Sequence, residues 1–188
     1  MYEVLVEFEI SILNGIQNLI GCKFCDVLFE FITHLGDAGL FWIAIAVVLL
    51  FFKKTRRIGV NMGLALILGL IFGNLIMKNL FQRARPYTHE EIAMIKESML
   101  LISKPSDFSF PSGHTLGSFN GAISIFLYNK KWGTAALVLA TLIAFSRMYL
   151  FVHFPTDIIG GILLATGCAI LSYYILKRFV PERYLAKP

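Results

Sequence analysis

Charge is what this chain has least of. Only 15% of its 188 residues are Asp, Glu, Lys or Arg, against about 25% in an average soluble domain, and the mean hydropathy is +0.71. Whole stretches carry none: Ile58 to Met77, Ile158 to Leu176, and Phe108 to Asn129, whose one side chain that titrates near neutral pH is His114. About twenty such residues cross the hydrocarbon core as a helix, so the scarcity excludes an ordinary soluble domain. Cysteine is also scarce, with three in all. Cys22 and Cys25 form a CxxC, but no second CxxC or nearby His completes a zinc site, so no metal or other cofactor is expected. Cys168 lies in an apolar run and reads as a small packing residue. Repeats and low-complexity tracts are absent. Met1 to Glu9 holds three acidic residues and no basic one, so no secretory leader is expected.

The charge that is present sits in clusters. "KKTRR" (Lys53 to Arg57), "NKK" (Asn129 to Lys131) and the tail from Lys177 lie between or after apolar runs, which is the positive-inside pattern of membrane topology rather than a nucleic-acid footprint. Helices must run out and back between these anchors. The expectation is a single all-α domain over 1–188 with six transmembrane helices and both termini cytoplasmic, in a plasma (inner) membrane. Residues 1–20, with Glu3, Glu7 and Glu9 among apolar neighbours, read as an amphipathic interfacial helix. A first crossing is expected from about Gly21 to Thr33. The extracytoplasmic loop 81–108 has room for a short surface helix, and 179–188 form a cytoplasmic tail. Trp42 and Trp132 read as interfacial aromatics. Glycines four apart (Gly69 and Gly73; Gly113, Gly117 and Gly121) suit close helix packing.

This topology brings three polar segments to one extracytoplasmic face: "KNLFQRARP" (Lys78 to Pro86), "PSGH" (Pro111 to His114) and "SRMYLFVHFPTD" (Ser146 to Asp157). Lys78, Arg83, Arg85 and Arg147 put positive charge where the topology rule disfavours it, and a bound phosphate gives a reason. Arg grips two phosphate oxygens with its planar fork, and Lys adds a compact charge. Ser112 and Gly113 precede a helix, so their N–H groups and the dipole face an anion. His153 and Asp157 are four apart, so the carboxylate can fix the ring tautomer and leave the other nitrogen nucleophilic. His114 suits protonation of a leaving oxygen. The sharp reading is therefore phosphoryl transfer through a phosphohistidine, with cations stabilising the transition state in place of a metal. Arg83 reads as a snorkelling side chain, Ser146 as a ligand or an orienting group, and His34, His89 and Asp37 as solvated loop groups.

The order K-x6-R-P, then P-S-G-H, then S-R-x5-H-x3-D resembles the three-part signature of the type 2 phosphatidic acid phosphatase superfamily, which includes membrane lipid phosphatases. The matching positions here are Lys78, Arg85 and Pro86; Pro111 to His114; and Ser146, Arg147, His153 and Asp157. The resemblance implies a six-helix, metal-independent membrane lipid phosphatase. In it His153 is the nucleophile, Asp157 its partner and His114 the acid; Lys78, Arg85, Ser112, Gly113 and Arg147 bind phosphate. Compact members with short loops look like the bacterial undecaprenyl-diphosphate phosphatases. The first expectation is hydrolysis of undecaprenyl diphosphate to undecaprenyl phosphate. Phosphatidylglycerophosphate or phosphatidate is the alternative substrate, and a non-catalytic binder of anionic lipid is the alternative class. The partners expected are the lipid phosphate and the bilayer, with no nucleic acid; nothing in the sequence sets an oligomeric state.

Overall fold

The computed structural model describes residues 2–89 and 102–180. Their regular elements are helices: α1 (Tyr2–Ile20), α2 (Lys23–His34), α3 (Leu40–Phe51), α4 (Arg56–Gly69), α5 (Lys78–Phe81), α6 (Gly113–Tyr128), α7 (Lys130–Tyr149) and α8 (Pro155–Phe179). A 3-10 turn, Asp37–Gly39, joins α2 to α3, and a π-helical stretch, Leu70–Met77, carries α4 into α5. Most of the surface helix expected within 81–108, and the tail beyond residue 180, lie outside the described residues.

Local side chains fix where these helices begin. Ser112 Oγ accepts the Thr115 N–H at the start of α6, and Asn129 Oδ1 accepts the Trp132 N–H at the start of α7. Such caps satisfy N–H groups that have no partner inside the helix. α8 opens on Pro155, whose missing N–H is not needed there, and Asp157 accepts the Phe154 N–H at 2.8 Å. Cys22 Sγ caps α2 by accepting from the Cys25 N–H. The CxxC thus has a structural part to play as free thiols.

Many large apolar side chains on these helices face outward, among them Val47, Ile67, Leu75, Ile159 and Leu163. Outward apolar surface on long helices is the mark of a lipid-facing bundle. Three stretches are long and apolar enough to cross a bilayer, Arg56–Thr88, Lys130–Tyr149 and Pro155–Phe179, and α2 with α3 passes as a fourth, bent by 40°. α6 is shorter at 16 residues and is packed against α4, α7 and α8. The helix expected from about Gly21 to Thr33 is present as α2, which together with α3 forms the bent pair. Its bend falls at Ala38 and Gly39, both in left-handed conformations.

α1 corrects one expectation. Val6, Ile10 and Leu13 pack against Phe151 and Phe154 of the α7–α8 connection, and Glu9 reaches Arg83 and Thr156. These are residues at the end of the bundle where α5 stops and α6 and α8 begin, and α8 runs away from that end for 25 residues. α1 and the far end of α8 thus lie at opposite ends, not on one face. Trp42 is corrected as well: it is 1% exposed, with Nε1 donating to Ser118 Oγ at 3.1 Å. The glycine rows divide. A Cβ on Gly73 or Gly121 would lie 2.2 Å from Leu116 or Trp42, whereas one on Gly117 would meet nothing within 4 Å.

Candidate active site

A cavity of about 820 Å³ opens where α5 ends and α6 begins, and Lys78, Arg85, Gly113, His114, Arg147 and His153 all line it. The three segments singled out in the sequence meet here because each lies at the same end of its helix. The α7–α8 connection is a loop, yet Leu150 to Phe154 are all buried. It stays folded under because the Arg147 carbonyl accepts the N–H groups of both Val152 and His153.

His153 is 1% exposed. Arg85 Nη1 lies 3.1 Å from its Nε2, and since Arg can only donate, that nitrogen carries the lone pair. The proton then sits on Nδ1, which faces Asp157 Oδ2 at 3.5 Å and Ser109 Oγ at 3.4 Å. Burial pushes the imidazole down to about 3, with Arg85 and Arg147 adding to that and the Asp157 hydrogen bond opposing it. The ring is therefore neutral at physiological pH, with its Nε2 lone pair turned to Arg85 at the cavity wall.

Asp157 is fully buried and fixed from three sides. Ser109 Oγ donates to its Oδ2 at 2.5 Å, the Phe154 N–H donates at 2.8 Å, and Arg83 Nη1 donates to Oδ1 at 2.6 Å. Arg83 is thus no snorkelling side chain. It is 9% exposed, pairs with both Asp157 and Glu9, and lies 4.2 Å from the Phe154 ring centre. Glu9, 2% exposed, also accepts from the N–H and Oγ1 of Thr156. The sequence carried one signal of this: Glu9 shares the buried stripe of Val6, Ile10 and Leu13 at helical spacing, so its charge needed a partner.

The phosphate-binding candidates are placed unequally. Lys78, Arg85 and Arg147 are all under 7% exposed. Asp107 bridges the first two, pairing with Lys78 and with Arg85 Nη2 at 2.6 Å. Its burial works to raise its carboxyl, but Lys78 and Arg85 outweigh that and hold it down at about 2. Arg147 Nη1 donates to Thr33 Oγ1 at 2.5 Å. Ser112 turns away from the cavity. Its N–H donates to the Asp157 carbonyl and its Oγ takes up Thr115, so it fixes the start of α6 instead of facing an anion. Gly113 and His114, the next two residues, line the cavity at the helix start, where backbone N–H groups favour an anion. Ser146 bonds the Ile143 carbonyl of its own helix and takes no part.

His114 is joined to a loop group that the sequence left solvated. Its Nε2 lies 2.9 Å from Asp37 Oδ1, and Asp37 Oδ2 lies 2.7 Å from His34 Nδ1. A neutral His backed by a carboxylate, beside three cations and a second carboxylate-held His, is a set of parts of the kind phosphoryl transfer uses.

Comparison with known proteins points the same way. The family model described as the PAP2 superfamily matches residues 58–181. The undecaprenyl-diphosphatase of Sulfolobus acidocaldarius is 34% identical over 71% of this chain, which spans 63% of that protein's length. Undecaprenyl-diphosphatase BcrC of Bacillus subtilis is 29% identical over 82% of this chain and 78% of its own. The crystal structure of the first transmembrane PAP2 type phosphatidylglycerolphosphate phosphatase from Bacillus subtilis superposes with a TM-score of 0.73. It is 26% identical, over 94% of this chain and 88% of that one.

Proposed function

The chain belongs to the PAP2 superfamily, and on that premise we propose that it is a metal-independent membrane phosphatase acting on a lipid diphosphate, with undecaprenyl diphosphate as first choice. The single observation that carries the reading is the His153 lone pair on Nε2, 3.1 Å from Arg85 Nη1, with Asp157 behind the ring. His153 Nε2 attacks phosphorus, and a phosphohistidine forms as the lipid oxygen leaves. His114 protonates that oxygen, its ring held by Asp37. Lys78, Arg85, Arg147 and the start of α6 at Gly113 hold the equatorial oxygens. Water then releases phosphate from His153. Two relatives named for undecaprenyl diphosphate support the substrate. A phosphatidylglycerophosphate phosphatase of like fold makes that phosphomonoester the second reading.

The orientation belongs to the same proposal. The loops holding Lys53, Lys54, Lys130 and Lys131 and the end of α8 with Lys177 lie at the end of the bundle away from the cavity, and the positive-inside bias puts that end in the cytoplasm. The site then faces outward with α1 laid on it. α2 with α3, α4 with α5, α6, α7 and α8 give five crossings in place of six.

The test is phosphate release by purified protein in detergent with EDTA, from undecaprenyl diphosphate, phosphatidylglycerophosphate and phosphatidate in parallel. Activity that survives EDTA and is lost in His153→Ala is the expected result. An active His153→Ala refutes the mechanism, and wild type inert on all three leaves the anionic-lipid binder.

A further inference from the structure

The cavity does not stop at the cationic end. It continues between α3, α4 and α6 along Ile43, Val47, Leu50 and Leu66, a wall suited to a hydrocarbon tail. Two polar side chains interrupt that wall just below the catalytic groups, Asn74 and Asn120. Asn74 stands one turn before Lys78, and Asn120 six residues beyond His114, about 9 Å deeper at 1.5 Å per residue. Asn120 is 1% exposed, and neither atom of its amide has a hydrogen-bond partner among the described residues; nor has Asn74 Oδ1.

Buried amides without partners are rare because each costs stability. Nothing in the packing calls for amides at these positions, where Leu would fill the space of Asn120 without the penalty. Small residues also stand beside both of them. A Cβ on Gly69 would lie 2.4 Å from Asn120 Nδ2, and one on Gly113 3.5 Å from Asn74 Oδ1. A buried amide with neither atom partnered, Asn120, and a half-buried one with its carbonyl unpartnered, Asn74, stand between the cationic end and the apolar groove, placed to meet something that arrives with the substrate.

We propose that Asn74 and Asn120 form a subsite for the second polar group of the lipid substrate, the acceptor oxygens between the leaving oxygen and the tail. In a lipid diphosphate these are the oxygens of the inner phosphate, and in a glycerolipid they are the ester carbonyls. Asn120 Nδ2 donates to them, and the Asn74 amide does so when rotation about its terminal bond exchanges Oδ1 for Nδ2; the subsite selects lipids that carry such a group over a tail joined directly to one phosphate. The inference rests on the lipid-phosphatase reading above.

The test compares farnesyl diphosphate, farnesyl monophosphate and dioctanoyl phosphatidate as substrates of wild type, Asn74→Ala, Asn120→Leu and the double variant. The expected result is a fall of about tenfold in the kcat/KM ratio of farnesyl diphosphate, or of phosphatidate, over farnesyl monophosphate. The ratio that falls identifies the oxygens. Asn120→Leu should melt at or above the wild-type temperature, because it removes an unpartnered amide. Ratios equal to wild type overturn the proposal, as does a lower melting temperature with equal losses on all three substrates. Should Asn120→Leu fail to fold, Asn120→Ser serves, with the same ratio as readout. If wild type turns over none of the three, the phosphatase reading fails on its own. The subsite is then judged by melting temperature, where farnesyl diphosphate must stabilise wild type more than the double variant.

Discussion

Arg83→Met is the sharpest perturbation that the structure offers, because Arg83 lies outside the sequence motifs and yet touches Asp157, the carboxylate behind the proposed nucleophile His153. The guanidinium is 9% exposed and stands between two carboxylates that are themselves 2% and 0% exposed, Glu9 and Asp157. Met keeps most of the stem and its packing on Phe154 but leaves both acids uncompensated. Removing one partner of a buried ion pair costs about 3–5 kcal/mol, and two acids share this cation, so the upper part of that range is expected. Asp157 also loses the Arg83 contact to Oδ1, one of the three that fix its carboxylate beside His153. A displacement of about 1 Å at a catalytic group can cost on the order of 10²-fold in rate, and that is the expected fall in kcat. Glu9→Gln added to Arg83→Met separates the two effects. It removes one stranded charge, so it should recover part of the melting temperature, while kcat stays low because Asp157 is still unsupported. The assay is thermal unfolding in detergent beside steady-state phosphate release. If Arg83→Met melts like wild type and keeps its kcat, or if the double variant regains full activity, Arg83 is not what positions Asp157.

Asp37→Asn should lower kcat about tenfold on a lipid phosphate with an alkoxide leaving group, less than the roughly 10²–10⁴-fold that general acid catalysis contributes, because His114 itself remains. It should leave p-nitrophenyl phosphate nearly untouched, since that leaving group needs no proton; equal losses on both would deny Asp37 its hold on His114. For His153, the folded ring stays neutral down to about pH 3, whereas in the unfolded chain it takes up a proton near pH 6.5. Stability from this group is therefore complete above pH 6.5 and lost on going down, by about 1.4 kcal/mol per pH unit. Unfolding between pH 7 and 4.5 should show a shallower slope for His153→Gln, and parallel slopes would refute it. Asp107→Asn should lower KM for the lipid phosphate several-fold, because the carboxylate that substrate must displace from Lys78 and Arg85 is gone; an unchanged KM would show that it does not compete.

Much of this site was legible before the fold was known. Lys78, Arg85, His114, Arg147, His153 and Asp157 each lie next to the same end of an apolar run, and alternating crossings must bring such ends together. What the sequence could not show is which acid answers which base. Asp37, Asp107 and Glu9 come from a turn, a loop and a separate helix, and their pairing with His114, Lys78 and Arg83 is set by tertiary packing, which leaves no periodic trace. Glu9 alone gave a hint, as an acid on the apolar stripe of α1. Ser112 misled for the opposite reason. Its place before a helix is right for an anion, but its N–H is already taken by the Asp157 carbonyl, and that is how the motif around His114 is locked to the motif around His153. Beyond that hint at Glu9, which acids of α1 are buried was not readable in sequence, where Glu3, Glu7 and Glu9 look alike and only the partners of Glu9 set it apart.

The carboxylates around the site fall into two kinds, and the division explains how a cationic pocket survives in a membrane protein. Burying a charge without a partner is costly; Lys78, Arg85 and Arg83 are each answered by a carboxylate, while Arg147 is held by the Thr33 hydroxyl. Arg83 is answered by Glu9 and Asp157, both sealed from solvent, and its pairing holds the His153 support in place throughout the reaction. Lys78 and Arg85 are answered by Asp107, whose side chain is 54% exposed. A half-exposed carboxylate is released to water at little cost, so a phosphate that arrives with two or more negative charges can take its place. The incoming group then inherits cations that are already desolvated and aimed. On the proposed reading, the fixed pair keeps His153 in register, and the exchangeable pair hands Lys78 and Arg85 over to an incoming phosphate. Exchanging the roles, with a buried acid on Lys78 and an exposed one on Arg83, would block the substrate and loosen Asp157 together.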